Sequence, residues 1–552
     1  MKAAPEGFDY DWLVIGSGFG GSVSALRLAE KGYSVGVLEC GRRFADDELP
    51  RSTGDVKRYF WRPYIGWKGI FRISTFKDVT VISGCGVGGG SLGYANTLYV
   101  PPKKFFEDPQ WRDLGDWEQA LAPHYAEAER MLGVTLNPHD DPADQLLREL
   151  AEVLGVADSY KKTPVGVYFG EPGVESEDPF FHGRGPERTG CLLCGRCMVG
   201  CPHGAKNTLV KNYLHLAEHA GVTVTPERTV IDVRPLGRGD GSEGYEVESV
   251  ASGAWVRKQR IVHRAHGVVL SAGPLGTNRL LFRCRAKGSL PRVSSRLGEL
   301  VRTNSEAILA VTVPEDYGQD LVRRVAISSS IHPDPHTHIE TVTYGKDGDS
   351  MRRLFILLTG NGTRLSRPLK LIGQIALHPR RLLKLMRTAR WSERTIIILV
   401  MQTLDNAIAL RGRRGPFGTM WLRTEQDRAR PNPTFIPVAN EAASWFARRT
   451  GGIAQSSLAE ALLNIPTTAH ILGGAVIGSD PSKGVVDAHQ RLFGYENLLV
   501  CDGSVVPANV GVNPSLTIAA LAEHAISFIP DAERASEPAS MLSGRRQPSP
   551  AG

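Results

Sequence analysis

No stretch of this chain is long and apolar enough to cross a membrane; the run Thr395-Ile-Ile-Ile-Leu-Val-Met401 falls far short of a span. Nor does Met1 to Asp9 resemble a signal peptide, since it leads straight into a strand-like segment. A soluble cytoplasmic protein is therefore expected. Excess charge of one sign is lacking as well. A net charge of +7 over 552 residues allows weak attraction to anionic surfaces. With no recognition helix or aromatic–basic platform beside it, that charge gives no reason to expect nucleic acid as a partner. Cysteine is sparse, eight residues with four in one short run, so a disulfide framework is excluded for a cytoplasmic chain of this size. Internal repeats are absent. What remains is an ordinary globular composition, 41% hydrophobic and 22% charged, with length enough for two or more domains.

The most informative segment is Tyr10-Asp-Trp-Leu-Val-Ile-Gly16-Ser17-Gly18-Phe-Gly-Gly21. Leu13-Val-Ile15 reads as a strand buried in a parallel sheet and ending at glycine. Gly16 permits the tight turn, Gly18 lets a pyrophosphate approach the backbone, and Gly21 lets the following helix, about residues 20–31, pack on the strand. That helix would aim its free N–H groups and positive dipole end at the phosphates. Glu39 closes a second strand at Val35-Gly-Val-Leu38, where a carboxylate can accept from ribose hydroxyls. The plainer reading is a nucleotide-free βαβ unit with a tight turn. Strand, helix and acid together favour a dinucleotide, and the N-terminal position leans toward FAD over NAD.

Further along, Gly84-Cys-Gly86-Val87-Gly-Gly89-Gly-Ser91 is a second glycine cluster, and residues 115–156 carry helical periodicity. Val222-Thr-Val-Thr, Val230-Ile-Asp-Val and Tyr245-Glu-Val-Glu-Ser-Val suggest strands; Val268-Val-Leu-Ser-Ala-Gly-Pro is a buried strand followed by a helix from about Gly276. Gly204-Ala-Lys-Asn-Thr is expected to begin a helix. Residues 303–360 alternate as an antiparallel sheet would, and a Ser/Pro/Ala/Arg-rich tail from 531 reads as disordered.

These segments together resemble the glucose-methanol-choline (GMC) flavoprotein family, and within it the cholesterol-oxidase-like branch. The match is carried by the N-terminal fingerprint, the second glycine cluster and Ser271-Ala-Gly-Pro-Leu-Gly-Thr-Asn-Arg-Leu-Leu281. It continues through His470-Ile-Leu-Gly-Gly474, Asn497-Leu-Leu-Val-Cys-Asp502-Gly503 and Gly511-Val-Asn513-Pro-Ser-Leu-Thr517. The resemblance implies an α/β fold, with an FAD-binding Rossmann-type domain and an inserted α+β substrate domain built on an antiparallel sheet. The FAD domain is expected over 1–50, 78–104, 202–302 and 464–530, and the substrate domain over 105–201 and 303–463. It implies FAD held by the fingerprint, Glu39, Gly84, Gly86, Val87, Gly89, Asn96, Asp502 and Gly503, with an adenine contact near Val230. The activity it implies is hydride transfer from an alcohol carbon to flavin N5, on a bulky lipid alcohol such as a 3β-hydroxysteroid, with O2 or another acceptor reoxidising the flavin. His470 would take the hydroxyl proton, suited by an ordinary pKa near 6.5, and Asn513 would orient the substrate oxygen.

Two departures stand out. The second glycine cluster continues Leu92-Gly-Tyr94-Ala-Asn96, where cholesterol oxidases place Asn-Gly a step earlier. At the position of the glutamate with which those enzymes isomerise the steroid double bond, local similarity places Ser330, and the nearest acid is Glu340.

Cys191, Cys194, Cys197 and Cys201-Pro202 match the C-x2-C-x2-C-x3-C-P spacing of bacterial ferredoxins, where the fourth cysteine serves a different cluster. One [4Fe–4S] cluster would need a different local backbone or a remote thiolate such as Cys284. The alternatives are a tetrathiolate zinc site, or reduced thiols at a tight chain crossing, the role that related GMC members' cysteine runs suggest. A cluster would make the chain a dehydrogenase passing electrons to a protein or quinone acceptor. A different class again is a non-catalytic, membrane-recruited flavin protein, against which His470 and Asn513 argue. From Arg364 to Arg394, seven further Lys and Arg residues lie among Leu, Ile, Met and Trp391. That stretch is either a basic helix on an anionic membrane or a solvated helix on the substrate domain.

Overall fold

The computed structural model describes residues 7–254 and 258–532. The tail expected from 531 thus lies, from residue 533 on, outside the described residues. Strand β1 (Tyr10–Ile15), helix α1 (Phe19–Glu30) and strand β2 (Val35–Leu38) form the N-terminal βαβ unit. Ile15 passes into Gly16 at φ 103°, a turn that an L side chain would strain. The sheet grows from distant segments: β3 (Thr223–Thr225), β4 (Arg228–Pro235), β5 (Tyr245–Ala251) and β6 (Ile261–Leu270), the last leading into α2 (Gly273–Lys287). Its order is β3–β2–β1–β6–β5–β4, and the short strand Leu498–Val500 also pairs with β6. β3, β2, β1, β6 and 498–500 run parallel, whereas β4 and β5 are antiparallel. Their apolar residues, including Leu13, Val14, Val37 and Val269 at no measurable exposure, are sealed from water, as a parallel sheet requires.

The second sheet contains β7 (Ala307–Thr312), β8 (Ile327–Asp334), β9 (Thr337–Val342), β10 (Phe355–Leu357), β11 (Thr395–Gln402) and β12 (Ile453–Ser457). They lie in the order β10–β12–β7–β11–β9–β8, with Lys161–Lys162 at the edge, and every pairing is antiparallel. The sheet expected over 303–360 therefore needs two later strands for its centre. The apolar run at 395–401 is β11, covered on both faces: Ile396 and Ile398 enter one core with Phe446 and Leu147, and Ile397 enters the other with Phe355 and Trp391. Each such side chain contributes about 1.5–3 kcal/mol by leaving water.

The helical stretch at 115–156 divides into Trp117–Leu132 and Pro142–Val153, broken where Gly133 takes φ 57° and starts the strand Val134–Leu136. Trp117–Leu132 falls in the span assigned to the substrate domain, yet its buried residues join the nucleotide-domain core, and Tyr125 Oη donates to Thr517 Oγ1 at 3.0 Å. The helix expected at Gly204 starts only at Tyr213, behind Asn212. Before it the chain makes only one 3-10 turn, Leu209–Lys211, and its side chains bond to distant segments. Lys206 Nζ, buried, donates to Leu92, Tyr94 and Cys197 carbonyls, and Asn207 Nδ2 to the Leu132 carbonyl at 2.9 Å.

Candidate active site

The nucleotide cradle is made mostly of backbone. α1 opens at Gly18 with no side-chain cap and no acid in its first turn, so its leading N–H groups are free for a phosphate. A Cβ built on Gly18 would meet open space. The two glycine loops touch there: a Cβ on Gly89 would come within 2.6 Å of Gly18 Cα. Ser17 stitches them together, its Oγ donating to Glu39 at 2.8 Å and accepting from Gly88 N at 3.1 Å. Glu39, buried at the end of β2, also accepts from Ser17 N at 3.0 Å and Gly41 N at 2.8 Å. It therefore shapes the loop as well as facing the ribose position, and a carboxylate has acceptor capacity for both. β4 slips register between Val230 and Asp232, which takes main-chain groups out of the ladder where the adenine contact is expected.

Asp502 ties the cradle's far side. It accepts from Ser504 N at 2.8 Å, from Gly273 N at the head of α2 at 2.9 Å, and from Thr277 Oγ1. Gly503 is buried beside it. Open space over uncapped amides, two glycine loops in backbone contact and a carboxylate at the strand end together fit a bound FAD.

The second cluster is the reverse, a meeting of side chains from four segments of the chain. His470 Nδ1 pairs with the Glu306 carboxylate, whose other oxygen accepts from Ala469 N at 2.8 Å. Holding Nδ1 leaves Nε2 as the nitrogen that can take a proton. Asn304 lies beside the pair, its Nδ2 3.5 Å from His470 Nδ1, and it also clamps the loop of Asn513: Asn304 Oδ1 accepts from Gly511 N at 2.7 Å, and Nδ2 donates to the Val512 carbonyl at 2.9 Å. Asn513 is buried, its Oδ1 without a partner and its amide placed to bond the Glu340 carboxyl.

Glu340 is the residue that changes the expectation. Ser330 and Glu340 are directly paired across β8 and β9, so the acid absent from one strand is supplied by its neighbour on the same face. Glu340 is fully buried, Oε1 lying 3.0 Å from His338 Nε2 and Oε2 without a partner. Burial, with some help from Glu306 and against His470 and Asn513, pushes its carboxyl up to about 8. Burial and the neighbouring His470 push His338 down to about 3, so that imidazole is neutral at physiological pH. Burial alone would lower His470 too, but Glu306 outweighs it, aided by Glu340, and the imidazole titrates above its ordinary value.

The structure brings His470 and Asn513 together around Asn304 and Glu340, and adds Glu306, Asn304 and His338, which the sequence reading leaves out. No local pattern marks those three, because their roles depend on partners far away in the chain. Asn96 joins none of these contacts. It takes φ 69°, keeps both side-chain amide atoms unpartnered, and lines a separate cavity with Cys191, Cys194, Cys197 and Cys201. Cys284 is elsewhere, on α2, accepting from Val233 N at 3.4 Å, which removes it as a fifth thiolate for the run. A wider cleft of about 720 Å3, lined by Lys103, Trp117, His336 and Asp405 among others, is not bordered by the catalytic side chains.

Comparison with known proteins agrees with this geometry. Residues 416–522 match the family model described as GMC oxidoreductase. The chain is 50% identical to a cholesterol oxidase of Mycobacterium tuberculosis over 533 residues, covering 95% of this chain and 91% of the relative. A cholesterol oxidase of Acinetobacter baumannii is 45% identical, with 95% of each chain covered. Among solved structures, formate oxidase of Aspergillus oryzae superposes with a TM-score of 0.61 at 15% identity over 94% of this chain and 97% of its own, which speaks for the fold alone. The nucleotide cradle, the histidine and asparagine beside it and these relatives place the chain in the GMC oxidoreductase family, in its cholesterol oxidase branch, as an FAD-dependent enzyme that oxidises alcohols.

Proposed function

We propose that the enzyme oxidises the 3β-hydroxyl of a sterol such as cholesterol to a ketone and then moves the ring double bond into conjugation with it. The observation that carries this reading is the convergence of His470, Asn513 and Glu340 in one buried cluster. His470 Nε2 accepts the hydroxyl proton, with Glu306 fixing the ring at Nδ1. Asn513 holds the substrate oxygen in line. FAD, when bound, supplies the hydride acceptor, and O2 or another acceptor takes the electrons onward. As carboxylate, Glu340 removes a proton from the carbon between the ketone and the double bond and returns it at the far end of the shifted bond; a pKa near the working pH suits both transfers. Glu340→Gln should still oxidise the sterol but accumulate the unconjugated ketone, read by the ultraviolet absorbance of the product. Conjugated product formed at the wild-type rate would remove Glu340 from the second step. Failure of sterols to bleach the flavin anaerobically, with bleaching by primary long-chain alcohols, would overturn the substrate.

The sterol is collected, we infer, at an anionic membrane surface. Helices α3 (Ser366–Leu377) and α4 (Pro379–Arg387) present Leu369, Ile372, Leu377 and Met386 to solvent, each more than 60% exposed, with Leu365 at 83% just ahead of them. Lys370, Arg380, Arg381, Lys384 and Arg387 surround these apolar tips, a pairing that suits a headgroup layer. Arg367, fully buried, bonds Glu460, Asn464 Oδ1 at 2.9 Å and the Thr434 carbonyl, fixing α3 close to the segment that leads into His470. Vesicles of mixed phosphatidylcholine and phosphatidylglycerol should sediment the protein in a salt-sensitive way, since each basic residue near such a surface is worth about 1 kcal/mol. The double variant Leu369→Glu/Ile372→Glu should lose sedimentation while keeping flavin reduction by detergent-dispersed sterol. Equal sedimentation of the variant would overturn the docking surface.

A further inference from the structure

We propose that Cys191, Cys194, Cys197 and Cys201 hold a single [4Fe–4S] cluster in the cavity that they line with Asn96, Val167 and Arg324. All four cysteines are free thiols and all four line the same cavity. This resolves the difficulty that the spacing raises. In ferredoxins the fourth cysteine turns to another cluster, whereas here Leu193 (φ 53°), Gly195 (φ 70°) and Gly200 (φ 102°) take left-handed turns and Cys201 faces the same cavity as the other three.

The spacing of the sulfurs separates cluster from zinc. A tetrahedral Zn–S4 site with bonds near 2.3 Å requires sulfurs about 3.8 Å apart. Among the described residues, the group of three ligand atoms within 4.8 Å of one another is Glu39, Cys40 and Cys85, so no three sulfurs of the run approach that closely. A cubane, with four irons between its thiolates, holds them further apart and still joins all four.

The surroundings fit as well. Leu193 N donates to Cys191 Sγ at 3.4 Å, and the backbone amides of Arg196 and Ala326 face Cys194 and Cys197. N–H groups directed at sulfur are one of the means by which proteins stabilise and tune such clusters. Val165, Val167, Ala205 and Val325 form an apolar wall against which Cys191, Cys197 and Cys201 pack, limiting water. Lys206, buried and lining the same cavity, donates from Nζ to the Cys197 carbonyl at 2.9 Å and so holds the backbone of that cysteine. Asn96, buried with both amide atoms unpartnered, offers a further donor into the cavity.

The test is iron, acid-labile sulfide and zinc analysis, relative to flavin, of the full chain purified anaerobically and then incubated with ferrous iron and sulfide. About four irons and four sulfides per flavin are expected, with a broad non-flavin absorbance that dithionite bleaches and an electron paramagnetic resonance signal in the reduced protein. Cys194→Ser and Cys197→Ser should each lose that iron and absorbance while FAD stays bound. Where a variant fails to fold, the wild-type metal and sulfide content decides alone. One zinc per chain, or neither iron nor sulfide after reconstitution, overturns the proposal and leaves zinc binding or packing as the role of the thiols. Because the readout is metal content and spectrum, its failure leaves the sterol reading untouched, and failure of sterols to reduce the flavin leaves the cluster untouched.

Discussion

The nucleotide cradle and the buried polar cluster around His470 are built from different materials. The cradle uses backbone: uncapped amides at the head of α1, glycine loops in contact, a register slip at Val230. The cluster uses buried ionisable side chains, and three of them titrate away from their ordinary values because of one another and of burial. Where two stretches of backbone touch, as at Gly89 and Gly18, there is no room for an added atom on the inner glycine. A site made of side chains tolerates substitution sterically but records every change in its pH behaviour. The largest effect should therefore follow from the smallest atomic change in the cradle. Gly89→Ala adds one methyl 2.6 Å from Gly18 Cα, at a residue with φ 52°, and both neighbours are main chain that cannot swing away. The variant should fold with little or no flavin, measured as the ratio of flavin to protein absorbance. Wild-type flavin content would show that the two loops do not jointly form the cradle.

In the cluster the largest expected effect is His470→Ala, which should slow reduction of the flavin by substrate by about 10²-fold or more while FAD stays bound. Stopped-flow reduction under anaerobic conditions measures it, and an unchanged rate would break the assignment of the base.

The same contrast explains what could be read before the structure. Backbone sites leave a sequence signature because only glycine satisfies them, so Gly16, Gly18 and Gly89 were legible at once, as was Glu39 at its fixed distance along the βαβ unit. His470 and Asn513 were found through resemblance, not through periodicity. Glu306, Asn304 and His338 were missed because a carboxylate, an amide or an imidazole is ordinary in any strand or loop, and its role exists only when the fold brings its partner near. In the sequence Glu340 is only the nearest acid to Ser330, ten residues on; the cross-strand pairing sets the two side by side. The second sheet was likewise half legible, since β11 and β12 lie far along the chain from the strands they join.

Glu306→Gln sharpens the side-chain half of the comparison. The amide retains the size of the carboxylate and one acceptor for Ala469 N, but loses the charge that raises His470. Flavin reduction should fall by roughly ten- to a hundredfold, less than for His470→Ala. Its rising limb with pH should move to lower pH, because an imidazole without its carboxylate partner loses its proton earlier. A rate loss with no movement of the limb would mean that Glu306 only supports the loop.

The smallest effect is on stability, and its sign follows from linkage. Glu340 titrates at about 8 in the folded chain against 4.5 as the ordinary value, so between those pH values the folded state holds a proton that the unfolded state has released. Its contribution to stability is complete below 4.5 and declines as pH rises to about 8. His338 and His332 act oppositely, being held down at about 3 and about 4, so that they add stability as pH rises toward 6.5. Between 4.5 and 6.5 the two histidines outweigh the one carboxyl, and their sum rises with pH. Above 6.5 the histidine gains are complete, and Glu340 is left declining together with His470, whose folded value is also raised. Lys206, pushed down to about 7 by burial, opposes that decline above pH 7, so the informative quantity is a difference: Tm of the wild type relative to Glu340→Gln should fall between pH 6.5 and 8, since the amide has no proton to lose. Parallel Tm profiles for the two proteins across that window would show that Glu340 is not held protonated, and that the catalytic cluster is less sealed from water than its burial implies.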